Sequence, residues 1–369
     1  MRKAVVVLPT FNEKESIKDL IENIFRQQKS LPNWTLEVLV VDSQSPDGTG
    51  KIIKSLQKTY KEKLHLLETE KEGLGKAYTR GFTYAMENLK PYVLFEMDAD
   101  LSHDPKEIPN FLKSVEKGAD FVVGSRYIKG GSIPANWGFH RKLFSMIGNL
   151  IVKLGFMKPQ VQDWTSGYRA IKVWLINSSL EKVKKYTGYV FQIALLDQAL
   201  KKNAHLVEIP IQFTDRRYGK SKIIFGEYIF QILWYILCYS SFIKYVIVGI
   251  IGFLIDFGLS FLFIEKVHLA VWLATIISAE SAIISNFYWN NSWSFAHKKL
   301  EGGWLTYLPQ FLKFNLVSVG AIAIQAIGIQ ISVNILGKKF WYLYKALIII
   351  FIVIPYSYIL YNKVIWKDK

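Results

Sequence analysis

Residues 92–105 read YVLFEMDADLSHDP, an apolar run that ends in two carboxylates, Asp98 and Asp100, on alternate positions. The run is short, follows Pro91 and has the composition of a buried strand. Ligands of open α/β sheets sit beyond the carboxyl ends of the strands, so Asp98 and Asp100, with Ala99 between them, are expected to emerge into that crevice. Carboxylate oxygens placed there suit a hard divalent cation, Mg2+ or Mn2+, which usually shares its sphere with substrate phosphates. A bare Asp-x-Asp also arises often in turns and caps, so the surrounding sequence has to decide the reading.

Upstream and downstream of this stretch, the first 225 residues alternate strand-like and helix-like segments, the pattern of a mostly parallel, Rossmann-like sheet covered by helices. Strands are predicted at 4–8, 36–41, 64–68, 92–97, 121–124 and 205–212, with amphipathic helices at 14–28, 50–60, 74–88 and 106–117. Asp104 and Pro105 open the last of these as cap and first-turn residue. Residues 226–242, GEYIFQILWYILCYSSF with its aromatic load, read as an amphipathic interfacial helix or linker. From residue 243 to 369 the chain reads as a membrane domain. Its apolar segments, near 242–264, 270–288, 311–336 and 341–361, each reach the roughly 20 residues that a bilayer requires.

Charge agrees with a membrane setting. Before residue 243 there are 35 basic and 25 acidic residues; after it, 11 lysines stand against five acids. A basic excess in both parts suits anionic lipid or phosphate-bearing substrates, and no recognition motif argues for nucleic acid. The single Cys238 excludes an intrachain disulfide. The first ten residues are too short an apolar region for a secretory signal, so the amino terminus is expected in the cytosol. Four spans return the carboxyl terminus to the same side. Lys298, Lys299, Lys363, Lys367 and Lys369 fit that orientation, and Lys338 and Lys339 oppose it.

Further candidates lie at the ends of the first strands. In VVVLPTFNEKES, Pro9, Phe11 and Glu13 fall in a loop at the ligand-facing edge, where a carboxylate can bind a ribose or base and Phe11 can lie along a base face. Helix capping by Thr10 or Asn12 is the ordinary alternative. Asp42 ends the second strand in VVDSQSPDGT, placed for ribose hydroxyls or a base amine, with Asp47 and Gly48 in a turn.

Together with KEGLGKA at 71–77, DADLSH at 98–103, GSRYIKGG at 124–131, DWTSGYRA at 163–170 and DRRYGKSKI at 215–223, these motifs resemble the polyprenyl-phosphate sugar synthases of glycosyltransferase family two, the dolichol-phosphate mannose synthases in particular. The motifs come in the family's order, and the membrane half, including FYWNNSWSF at 287–295, looks like the four-helix domain fused to some archaeal and bacterial members. The resemblance implies a GT-A fold, a GDP-mannose donor and a dolichyl or other polyprenyl phosphate acceptor. It implies that Pro9, Phe11, Glu13 and Asp42 contact the nucleotide, and that Asp98 and Asp100 meet the metal and diphosphate. Ser102 stands where some archaeal members have a Gln as third ligand; its shorter side chain is the weaker donor and leaves room for water. Arg126, Arg216 and Lys222 match positions that bind phosphates, a task for which the planar arginine fork is suited.

An acceptor phosphate monoester is already anionic near neutral pH, its second pKa being about 6, so little general base is needed. Asp163 matches a position where related transferases carry an acid, and orientation is the expected role ahead of proton transfer. In the spans, Asp256, Glu280, Asn286, Asn290 and Asn291 are costly in hydrocarbon and are read as pairing between helices or lying near an interface. The rival donor is UDP-glucose. A lipid-linked sugar translocase with a regulatory head is the alternative of another class, and the intact Asp98, Asp100, Arg126 and Lys222 argue against it.

Overall fold

A computed structural model of the chain describes residues 1–188, 190–216 and 225–367. It divides into two compact units, Met1–Tyr235 and Ile236–Lys369.

In the first unit the strands are β1 (Arg2–Thr10), β2 (Trp34–Asp42), β3 (Leu64–Glu68), β4 (Val93–Glu96), β5 (Phe121–Ser125), β6 (Arg169–Lys172) and β7 (Leu206–Pro210). The helices are α1 (Ile17–Arg26), α2 (Thr49–Tyr60), α3 (Leu74–Tyr84), α4 (Ile108–Glu116), α5 (Phe139–Phe156), α6 (Val173–Val183), α7 (Val190–Lys201) and α8 (Phe225–Tyr239). Runs such as VVVL in β1 and VLVV in β2 are buried on both faces, as a sheet covered by helices requires. Helix α1 buries Ile17, Leu20, Ile21 and Ile24 at helical spacing against that sheet.

The seven strands lie in the order β3-β2-β1-β4-β6-β5-β7. All pairings are parallel except those of β6, which runs antiparallel to both β4 and β5, with Glu96 opposite Arg169. The predicted strands are present, and β6 is the addition. Four residues long and set in RAIK, it carries too little apolar pattern to read as a strand from sequence. Because β6 is reversed, the loop entering it, residues 163–168, lies at the same sheet edge as the loops leaving β4 and β5. This is a GT-A-type arrangement.

Among the described residues, the second unit holds four helices long and apolar enough to cross a bilayer: Ser241–Lys266, Val271–Ser294, Trp304–Leu336 and Leu343–Ile365. Only 11% to 22% of each is buried, so most of their apolar side chains face outward, as expected of helices in hydrocarbon. The second span runs through NNSWS to Ser294 and the third begins at Trp304, seven residues before the predicted start, with Pro309 inside its first turns. Gly252 of the first span lies directly against the Asn286 side chain of the second, an approach that any Cβ would block. Near the end of the second span, Asn291 Oδ1 accepts from Leu300 N at 2.9 Å and from the Trp366 indole at 3.0 Å. Stacked pairs Phe295–Trp366 and Phe314–Tyr361 close the packing there. The protein is an integral membrane protein.

Candidate active site

The edge defined by β1, β2 and β3 forms an open cavity of about 610 Å3 lined by Asp42, Gln44, Ser45, Asp47, Lys51, Lys54 and Glu68. Asp42, at the end of β2, is buried and shapes the loop after it. It accepts from Thr10 Oγ1 at 3.0 Å, from Ser45 Oγ at 2.6 Å and from Ser45 N at 2.9 Å. Asp47 caps the next turn through Thr49 and Lys14. Burial would raise its carboxyl, but these hydrogen bonds outweigh burial and hold it below the usual range. Gly48 takes φ +95° at this turn, a conformation that favours glycine. Pro9 pairs with Val41 in the sheet. Glu13 N donates to Thr49 Oγ1 and Glu13 Oε2 accepts from Ser16. The Phe11 ring lies under the Lys71 ammonium at 3.7 Å.

At the end of β4 the chain makes a tight bend through Asp98, Ala99, Asp100, Leu101 and Ser102, with Leu101 in a left-handed conformation at φ 65°. His103 supports the bend from below. Its Nδ1 accepts from Asp98 N at 3.1 Å, which places the ring proton on Nε2, and the ring stacks on Tyr168. Burial pushes the imidazole well below its ordinary pKa, keeping it neutral. Asp98 is partly exposed. The surrounding protein and the charge of Asp100 raise its carboxyl above the usual range. Asp100 Oδ1 accepts from Ser102 N at 3.1 Å, and its Oδ2 lies 3.5 Å from Arg216. Gly167 closes the far side; a Cβ there would sit 3.6 Å from both Asp98 carboxylate oxygens.

These residues fit a divalent cation. Asp98, Asp100 and Ser102 supply hard oxygen donors, and Ser102 Oγ is buried without a hydrogen-bond partner. Among the described residues no cluster of three His, Cys, Asp or Glu forms.

Arg126 comes just after β5 and is locked in place. Its Nε and Nη2 form a bidentate pair with Asp163 at 2.8 Å each, its backbone N–H adds a third bond, and Nη2 reaches Thr165 at 2.7 Å. Asp163 is fully buried. Burial would raise its carboxyl, yet the Arg126 charge and hydrogen bonds hold it below the usual range. An anion so engaged is a poor proton acceptor, and its geometric effect is to fix the guanidinium. Glu208 on β7 braces the same loop by accepting from Gln162 N and Asp163 N.

The structure adds residues that sequence pattern did not mark. Arg141, in the first turn of α5, pairs with Asp215 at 3.1 Å and lies over the Trp137 ring. Asp215 adjoins Arg216, and Thr214 binds the Ser102 carbonyl, so Arg141 and Arg216 are tied to the Asp98–Ser102 bend. The Phe213 ring faces both Arg126 and His103. Tyr127 OH and Ser145 Oγ, 2.6 Å apart, connect the Arg126 loop to α5. Arg141 lies in a stretch for which no element is predicted, so the sequence carries no signal for it. Lys222, with Gly219 and Ser221, lies outside the described residues.

Beneath the bend, Glu96 and Arg169 are both fully buried and 3.5 Å apart. Burial pushes the Glu96 carboxyl up to about 7 against the pull of Arg169.

Comparison with known proteins places the chain in a family. The Glycosyl transferase family 2 model matches residues 5–182, and the GtrA/DPMS transmembrane domain model matches residues 244–366. The chain is 30% identical to a dolichol-phosphate mannosyltransferase of Pyrococcus furiosus over 88% of this chain and 89% of that protein. It is 35% identical to a polyprenol monophosphomannose synthase of Mycolicibacterium smegmatis over 60% of this chain and 81% of that one. Among solved structures, glucosyl-3-phosphoglycerate synthase from Mycobacterium tuberculosis aligns with a TM-score of 0.48 at 19% identity, covering 64% of this chain and 78% of that one. With both of its parts matched by these models and a relative 30% identical over nearly its whole length, the chain belongs to glycosyl transferase family 2, in the branch that carries a GtrA/DPMS-type transmembrane domain.

Proposed function

We propose that the protein transfers mannose from GDP-mannose to a dolichyl or other polyprenyl phosphate at the cytosolic membrane face, with inversion, yielding the β-linked lipid and GDP. The observation that carries this reading is the set of ion pairs around the bend bearing Asp98 and Asp100: Arg216 lies 3.5 Å from Asp100, Arg141 pairs with the adjoining Asp215, and Arg126 is gripped by Asp163. Guanidinium groups placed there suit phosphate-bearing substrates. The names of the two relatives support mannose and a polyprenyl phosphate.

Helix α5 supports a lipid acceptor. It presents Phe139, Leu143, Met146, Ile147, Leu150 and Leu154 to the exterior along one face, with Phe139 79% exposed, while Arg141 lies on the opposite, packed face. An exposed apolar stripe of this length suits an isoprenoid chain. The base cavity supports guanine. Guanine offers donors at N1 and N2 and acceptors at O6 and N7, and the cavity combines the carboxylates Asp42 and Glu68 with Lys51 and Lys54.

In this reading Phe11 lies along the base, Pro9, Glu13 and Asp42 frame the nucleoside, and Asp98 and Asp100 hold the cation with Ser102 nearby. A bound Mg2+ or Mn2+ would supply positive charge at the leaving diphosphate. The arginines hold the acceptor monoester, already anionic, against its repulsion by the donor, so positioning replaces base catalysis. Asp163 keeps Arg126 in place and takes no proton. Lys222 is assigned to the phosphates on its motif.

The test is transfer by purified protein with Mn2+ or Mg2+ and dolichyl phosphate, comparing labelled GDP-mannose with UDP-glucose and wild type with Asp100→Ala. Mannolipid formed by wild type and lost in the variant is the expected result. Glucolipid alone would replace the donor assignment. No transfer from either donor would overturn the reading in favour of a lipid-linked sugar translocase, which labelled product on one leaflet would then detect.

A further inference from the structure

Arg169 makes contacts that no step of the proposed reaction requires. Its Nη1 donates to the Gln192 carbonyl on α7 at 2.6 Å, its Nη2 donates to the Trp164 carbonyl at 3.0 Å, and Glu96 Oε2 lies 3.5 Å away. Each contact leads to a different part of the site. Glu96 ends β4 and precedes Asp98 by two residues. Trp164 adjoins Asp163, the residue that fixes Arg126. The Gln192 side-chain amide packs against Gly167, which in turn borders the Asp98 carboxylate.

Both Glu96 oxygens are buried without a hydrogen-bond partner, so Arg169 at 3.5 Å is a loose, charge-based neighbour. A buried ion pair of this kind is weak evidence for stability, because well-packed apolar residues often serve the fold as well or better. A different benefit is then needed to explain the pair. The sheet register supplies one: Glu96 and Arg169 stand opposite each other on β4 and β6, at the point where the two site loops leave and enter the sheet.

We infer that Arg169, paired with Glu96, is a positioning residue that sets the spacing between the Asp98–Asp100 bend and the Arg126–Asp163 clamp. The inference rests on the proposed reaction, in which the bend holds the donor diphosphate and the clamp holds the acceptor phosphate. Arg169 touches neither substrate. It joins the strand end carrying one anion site to the loop supporting the other, so that nucleophile and leaving group stay in line. Lysine cannot replace it, because a single ammonium lacks the planar fork that reaches two carbonyls and a carboxylate together.

The experiment uses the full-length protein in detergent with three variants: Arg169→Met combined with Glu96→Leu, Arg169→Lys alone, and Glu96→Gln. The apolar double variant removes the ion pair but also leaves the Trp164 and Gln192 carbonyls without the guanidinium, so its thermal midpoint should fall by a few degrees while kcat falls about 10- to 100-fold, with KM for donor and acceptor within about threefold. Glu96→Gln retains an acceptor for the guanidinium and should recover most of kcat. Hydrogen exchange of the unliganded proteins gives a second readout, with segments 97–103 and 163–168 exchanging about tenfold faster in the double variant and β1 and β2 unchanged. Wild-type kcat and unchanged exchange in the folded double variant would overturn the inference. If that variant does not fold, Arg169→Lys decides: a fall in kcat at constant KM supports the inference, and wild-type kcat overturns it. Should wild type transfer no sugar at all, the proposed reaction fails, and the exchange pattern still decides whether Arg169 joins the two loops.

Discussion

The two units bury polar groups of different kinds. Tyrosines aside, every buried polar side chain among the described residues of the membrane unit is a serine or an asparagine, whereas the first unit buries Glu96, Asp100, His103, Asp163 and Arg169. Their surroundings and tasks account for the contrast. In hydrocarbon a charge is expensive even when paired, and neutral amides and hydroxyls hold helices together at lower cost. Gly252 against Asn286, and Asn291 between Leu300 and Trp366, are contacts of that type. The first unit handles anions, so its buried charges keep a small number of exposed ones in fixed positions.

Substitutions can break this contrast, and the largest effect is expected at the bend. Asp100→Ala should lower transfer by about 10^3-fold, measured with saturating substrates, with little change in thermal midpoint. Removing the buried partner of Arg126 should reverse that profile. Asp163→Ala removes the bidentate carboxylate that grips the Arg126 guanidinium and should cost about 3–5 kcal/mol in denaturant unfolding, with activity falling as well.

The same pair predicts a pH effect of definite sign. Arg126 holds Asp163 below its unfolded value of 3.8, so its contribution to stability is complete above that value and is lost as pH falls through the lower folded pKa. Asp163→Ala should lack this part of the acid slope, and an identical slope in variant and wild type would show that the clamp contributes nothing to acid stability.

In the membrane unit, Asn291→Leu strands two donors and should cost about 1–3 kcal/mol in detergent unfolding, while transfer per folded molecule is retained. A loss of activity without loss of stability would mean that the membrane unit does more than anchor. The smallest effect is expected at Ser102→Ala. It removes a buried hydroxyl that has no hydrogen-bond partner, so stability should stay level or rise by up to about 1 kcal/mol. Mn2+ affinity, tracked by titration, should weaken by a few-fold.

Much of the fold was legible because it rests on local pattern. Apolar runs marked β1 to β5 and β7, length marked the four spans, and Asp98 and Asp100 stood out at a strand end. The relations among residues were harder to read. That Asp163 grips Arg126, 37 residues away, depends on β6 being reversed, and β6 is too short to announce itself. Glu96 did carry a signal, a charge closing an apolar strand, but its meaning waits on the residue opposite it. Arg141 needed the arrangement of Trp137 and Asp215 before it could join the cluster.

The reversed strand also bears on when the site comes into being. Strands β4 and β5 are joined only through β6, which sits between them, so this part of the sheet stays open until residues 169–172 are in place. During synthesis, at about 5–20 residues per second, the nucleotide edge is complete many residues before the clamp has any means of assembly. Pairings between residues some 75 positions apart are among the slow ones, because the intervening loop has to close first. A chain made only as far as Ser102 carries Asp98 and Asp100 without the residues that anchor Arg126, so the two halves of the site come into being in sequence and not together.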